Sequence, residues 1–216
     1  MPEATIPLIF ITSFTVALSG ALMPGPLLAI TIGESVRSGF WAGPKIIMGH
    51  AILELAVVAA LALGLSRFIT SDLVSAIIGL AGGGILLAMG AIALKQGLGN
   101  AAMPTAEAGK AGRNGRIILS GILGSMSNPY WFIWWVTLGT VYLIWALGLG
   151  IAGVASFFTG HILADLSWYA LVAFIVATGR KIMNDKVYRR LLGLCGLGLL
   201  ALGIYFIVSG IIFLNG

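Results

Sequence analysis

Charge is what this chain has least of. Only 9% of its 216 residues are Asp, Glu, Lys or Arg, against about 25% in a soluble domain. That scarcity excludes a surface facing water on all sides. With 59% apolar residues and a mean hydropathy of +1.07, the chain has the bilayer for its solvent. Cysteine is nearly absent too, and the lone Cys195 permits neither an internal disulfide nor a two-thiol redox relay. The strict alternation of a membrane barrel is missing. So are a phosphate-binding P-loop, an HExxH zinc motif and a serine elbow, which leaves no catalytic residue to name. What is present is a series of long apolar runs, and lipid allows those only as helices.

A spanning helix takes roughly 20 apolar residues, and six such stretches lie at about 7–33, 44–65, 73–94, 117–138, 150–178 and 190–213. The expected fold is therefore an all-α polytopic membrane protein. From Ile117 to Leu163 no Asp, Glu, Lys or Arg occurs, so the boundary between the fourth and fifth spans is weakly marked. The opening stretch MPEATIPLIF lacks a basic n-region and a small-residue cleavage site, and reads as a retained first span. Lys and Arg set the orientation. Arg37, Lys45, Lys95, Lys110, Arg113, Arg116, Arg180, Lys181, Lys186, Arg189 and Arg190 fall on one side, and Arg67 alone falls on the other. The positive-inside rule puts the eleven in the cytoplasm and both termini outside. The net charge of +5 is this loop bias, suited to anionic lipid headgroups. It carries no nucleic-acid site.

A duplication organises the spans. Span one contains LMPGPLL (22–28) and span four SMSNPYW (125–131). Proline removes a backbone donor and clashes with the carbonyl four residues back, so Pro24-Gly25-Pro26 and Asn128-Pro129 should each break a helix. Gly25 and Asn128 tolerate the unusual backbone angles that a break can need. One span later in each half comes GHAILEL (49–55) or GHILADL (160–166). Pro26 to Pro129 is 103 residues and His50 to His161 is 111, so order is kept while the second half gains eight residues. Three spans per half is an odd number, and the halves must cross in opposite senses. The expected organisation is a 3+3 inverted repeat with broken helices 1 and 4: residues 1–95, a flexible cytoplasmic linker at 96–116 rich in Gly and Ala, and residues 117–216.

Paired interrupted helices mark the substrate site of secondary transporters. A break at mid-membrane frees N–H groups, which favour an anion, and C=O groups, which favour a cation. His50 and Glu54 are four apart, as are His161 and Asp165, so each pair shares a helix face. Glu54 lies about 15 Å past Pro44, near mid-bilayer, where ionisable groups usually face a cavity. Burial and mutual pairing act on such groups in opposite directions, and either balance suits proton exchange. Each pair is otherwise a self-satisfying glue between helices. The four together can also bind a divalent transition metal, as metal-export cargo or as the centre of an intramembrane metal-dependent enzyme. No resident cofactor is expected.

Other features read more plainly. The glycine-rich stretches of spans three and six (79–90 and 193–203) suit close helix packing, within the chain or in a homo-oligomer. Trp131, Trp134, Trp135 and Trp145 mark an interface belt or line the break at Asn128. Glu34 reads as a solvated helix end.

With PGP in the first span, Asn-Pro in the fourth and six spans over about 210 residues, the whole chain resembles the LysE/RhtB amino-acid exporters. Family members typically read Ser-Pro-Gly-Pro-Asn or close to it, and here Met23 and Leu27 flank Pro24-Gly25-Pro26. The resemblance implies export of amino acids or related small metabolites across the plasma membrane of a bacterium or archaeon, by proton antiport. The same superfamily includes divalent-metal exporters.

Overall fold

The computed structural model describes residues 5–23, 25–65, 72–100, 113–179 and 185–215. These residues are helical apart from short joins, and no strand occurs among them. The first crossing is two helices, α1 (Ile6–Ala21) and α2 (Pro26–Ser38), meeting at 78°. Helix α3 (Ala42–Ala60) runs into a wide turn at Leu61–Leu65, and α4 (Asp72–Leu98) follows. Then come α5 (Arg113–Met126) and α6 (Pro129–Trp134), the latter continuing through a π-type turn at Trp135–Gly139 into α7 (Thr140–Leu147). Helices α8 (Gly150–Gly179) and α9 (Asp185–Asn215) complete the order. Among the described residues five helices are long and apolar enough to cross a membrane, six crossings when α1 and α2 count as one.

Both expected breaks are present. Gly25 precedes α2, Pro26 opens it, and Asn128 caps α6 with its side-chain oxygen on the Tyr130 N–H at 3.1 Å. The expected reason for Gly25 and Asn128 is corrected. Gly25 has φ −152° and Asn128 φ −97°, extended backbone open to any residue. Space decides at Gly25 instead, since a Cβ there would lie 3.3 Å from Asn128 Nδ2. The fourth crossing also differs from expectation. Its apolar stretch is Tyr130–Leu147, ending nine residues beyond 138, because backbone geometry and not charge marks the boundary. Gly150 has φ +65°, a conformation that glycine adopts without cost, and there the chain turns into α8. Residues 96–98 continue α4, and α5 begins at Arg113. Pro24, Arg67, most of the expected linker with Lys110, Arg180, Lys181 and both chain ends lie outside the described residues.

Three helix pairs dominate the packing: α4 with α9, α1 with α8, and α3 with α5. Helices α4 and α9 run antiparallel along a glycine seam, in which Gly79, Gly83, Gly90 and Gly97 approach the backbone at Gly210, Gly203, Gly196 and Gly193. These small residues let two backbones meet closely. The other two pairs share a device. A Cβ on Gly49 of α3 would strike the Ile118 carbonyl of α5, and one on Gly160 of α8 would strike the Phe10 carbonyl of α1. Each glycine directly precedes a motif histidine. Side-chain hydrogen bonds tie the same pairs, Ser13 Oγ to the Phe157 carbonyl at 2.7 Å and Lys45 Nζ to Asn114 Oδ1 at 2.8 Å.

Candidate functional site

The glycine contacts seat His50 and His161 at helix crossings, facing inward. One helical turn on, Glu54 and Asp165 point the same way, and all four residues are at most 5% exposed. His50 Nε2 lies 3.1 Å from Glu54 Oε1, and His161 Nε2 lies 3.4 Å from Asp165 Oδ2. The cross-pairs are as close: His161 Nε2 is 2.9 Å from Glu54 Oε2, and His50 Nε2 is 3.4 Å from Asp165 Oδ2. The two motifs thus form one cluster whose potential ligand atoms all fall within 4.8 Å. Two imidazolium groups and two carboxylates would cancel in charge, which is the condition for placing ions away from water.

Neighbouring groups fix part of the proton arrangement. Ser125 Oγ donates its one hydrogen to the Gly121 carbonyl at 2.8 Å and lies 2.6 Å from His50 Nδ1. In that arrangement His50 Nδ1 carries the hydrogen of the second contact. Nε2 then faces two carboxylates across distances short enough to share a proton. Glu54 Oε1 also accepts the indole N–H groups of Trp131 and Trp135, each at 3.0 Å. These tryptophans are one turn apart on α6 and the turn after it. Of the two roles expected for the tryptophans, Trp131 and Trp134 take the lining role and not the interface belt, with Trp135 beside them. All three are buried, and Trp134 packs edge-on against His161 with ring centroids 4.5 Å apart. Gly139 makes room for the rings of Trp134 and Trp135, where a Cβ would fall within 2.8 Å of both.

The cluster opens on a cavity of about 50 Å³, room for roughly three to five waters. Its wall includes Gly20, Ala21, Met23, Asn128, Tyr130 and Tyr169 beside the four ionisable residues. Of the expected break residues, Asn128 lines the cavity, Gly25 abuts Asn128, and Pro26 is fully buried. Pro129 occupies the first turn of α6. Ser125, Trp131 and Trp135 were not expected as partners, although the indoles repeat the four-residue spacing of the His–acid pairs. Glu34 departs from the expected solvated end. Its side chain is 13% exposed and lies 3.7 Å from Arg37 and 3.9 Å from Arg116. That places an ion pair between α2 and α5 at the expected cytoplasmic face.

A protein-family model described as LysE type translocator matches residues 18–210. A Bacillus subtilis (strain 168) protein, YcgF, named as an amino acid efflux protein, is 27% identical over 206 residues, covering 94% of this chain and 97% of its own. No solved structure matches the chain.

Proposed function

The chain belongs to the LysE type translocator family, and from that premise we propose that it exports amino acids or related small metabolites in exchange for protons. It is a multi-pass membrane transporter and not an enzyme. The efflux role in the name of its Bacillus relative supports amino-acid cargo. One observation carries the mechanism: the ionisable groups of both halves converge beside the two helix breaks.

In this reading the N–H groups freed at Gly25–Pro26 and Asn128–Pro129 attract the substrate carboxylate. Glu54 and Asp165 take its ammonium or the coupling proton, each facing both histidines. Access alternates between the membrane faces, with the Glu34–Arg116 pair closing one of them. The halves are related as an inverted repeat. Support comes from the exchanged packing, since the first helix of each half lies on the motif helix of the other, α1 on α8 and α5 on α3. The protein sits in the plasma membrane of a prokaryote with its cation-rich loops in the cytoplasm. A metal cargo is less well served, because Glu54 Oε1 is already occupied by two indole donors.

Proteoliposomes test the coupling. Wild-type protein is expected to move a labelled amino acid down an imposed pH gradient. Glu54→Gln combined with Asp165→Asn is expected to abolish that flux. Undiminished pH-driven flux in the double variant would sink the proton-coupling role.

A further inference from the structure

Hydrogen-bond accounting divides the cavity wall into a satisfied side and an open side. Glu54 is held on both oxygens: Oε1 accepts two indole N–H groups, and Oε2, which has no other partner, faces His161 Nε2 at 2.9 Å. His50 is closed by Ser125 on one nitrogen and by Glu54 on the other. The open side consists of Trp134 Nε1, His161 Nδ1 and Asp165 Oδ2. Trp134 Nε1 and His161 Nδ1 have no hydrogen-bond partner, and Asp165 Oδ2 has only the two imidazole nitrogens at 3.4 Å; all three residues are 5% exposed, and all three line the one cavity. Buried polar atoms are almost always paired, so three open ones around one cavity describe the ligand that completes them. Glu54 Oε2 is also without a hydrogen-bond partner on this wall but has His161 Nε2 beside it, whereas Trp168, Ser35 and Ser38 hold unpaired buried atoms and do not line the cavity.

The chemistry of the three atoms is restrictive. An indole N–H only donates, and a carboxylate oxygen only accepts. Trp134 therefore requires an acceptor and cannot ligate a cation, whereas Asp165 requires a donor. A metal ion would satisfy Asp165 and leave Trp134 unpaired. A ligand with an anionic acceptor and a cationic donor a few atoms apart satisfies both, and the carboxylate and ammonium of an α-amino acid are such a pair. We infer that Trp134 Nε1 binds the substrate carboxylate and Asp165 Oδ2 its ammonium, with His161 between them, and that the cargo is an α-amino acid with a small uncharged side chain. The inference rests on the exporter reading above and narrows its substrate. Two observations set the side-chain class. The cavity is about 50 Å³, too small for a long side chain, and Ala17, Gly20, Ala21 and Leu27 give it an apolar stretch of wall. Trp131 and Trp135 donate to Glu54 Oε1, so the two acids differ in their partners although their motifs match.

Purified full-length protein in detergent, titrated with the common L-amino acids and followed by tryptophan fluorescence, tests the class. A response confined to amino acids such as L-alanine, L-serine and L-threonine is expected. The methyl ester, which lacks the carboxylate charge, and the N-acetyl form, which lacks the ammonium, should each bind about tenfold to a hundredfold more weakly. Trp134→Phe keeps the ring and removes the N–H. It should weaken binding of the free acid by a similar factor while leaving the methyl ester at its wild-type affinity, which also shows that the variant is folded. Gly20→Ser repeats the test with Trp134 intact. A Cβ on Gly20 lies 3.4 Å from Trp134 Nε1, so the added hydroxyl occupies the indole N–H and should likewise weaken the free acid alone. Wild-type discrimination between acid and ester in both variants overturns the inference, as does a wild-type response led by lysine or glutamate. Flux of the responding amino acid in proteoliposomes separates the two readings. No amino-acid flux by the wild type defeats the exporter reading itself. Flux with unchanged Trp134→Phe discrimination defeats only the assignment of Trp134.

Discussion

Glu54 Oε1 takes more donors than a typical buried oxygen: the indoles of Trp131 and Trp135, with His50 Nε2 beside them at 3.1 Å. A hydrogen bond to a charged group contributes about 1.5–3 kcal/mol. Trp131→Phe and Trp135→Phe each remove one donor with little change of shape. Each is expected to lower thermal stability by several degrees, and the double variant by more than the sum, since the second loss strips the oxygen of both indoles. Melting curves of the purified protein in detergent would show this, and additive or negligible shifts would reject it. The His–acid pairs were legible because their spacing places both groups on one helix face, twice. The tryptophans were not, because an indole in a membrane helix equally suits the interface, and only the path of α6 past α3 turns them inward. Ser125 was hidden for another reason. A serine in a membrane helix commonly bonds its own preceding carbonyl, as this one does to Gly121, and its contact with His50 exists only after α3 and α5 pack.

At the level of the helix, proline announced both breaks, and glycine announced close packing without naming the partner. The fourth crossing was misjudged because no charge interrupts Ile117–Leu163. Its end is set by a backbone turn that a run of apolar letters conceals. The glycines before the motif histidines matter most among the packing residues. Gly49 approaches Ile118, and Gly160 approaches Phe10, backbone to backbone. A side chain at either point must spread a helix pair, and overpacking of this kind typically costs about 1–3 kcal/mol or more. Gly49→Leu and Gly160→Leu are each expected to reduce the yield of monodisperse protein and to abolish flux. Gly84, which has nothing near its Cβ direction, should accept leucine with neither loss. Equal behaviour of Gly49→Leu and Gly84→Leu by size-exclusion chromatography would remove the packing argument.

For the whole molecule, the proposed orientation, drawn from the distribution of cations, puts Lys45 and Arg116 in the cytoplasm. Cysteines introduced at these positions, with Cys195 changed to Ala, should react with an impermeant maleimide in inside-out vesicles and be protected in intact cells. The reverse pattern would invert the topology. Class and span number were legible at this scale because solvation energy dictates them from composition. The assignment of partners across the bundle was not, since it depends on contacts between residues more than a hundred positions apart. Those contacts bear on how the chain is joined. Residues 5–100 supply His50 and Glu54 and one edge of the glycine seam, and residues 113–215 supply His161, Asp165, the tryptophans and the other edge. Neither segment holds a whole site or a self-contained bundle. Two genes split between positions 101 and 112 should therefore yield fragments that are inert when produced singly and complement each other when produced together. Complementation would make the peptide connection dispensable and leave the glycine seam between α4 and α9 as the joint that holds the halves together.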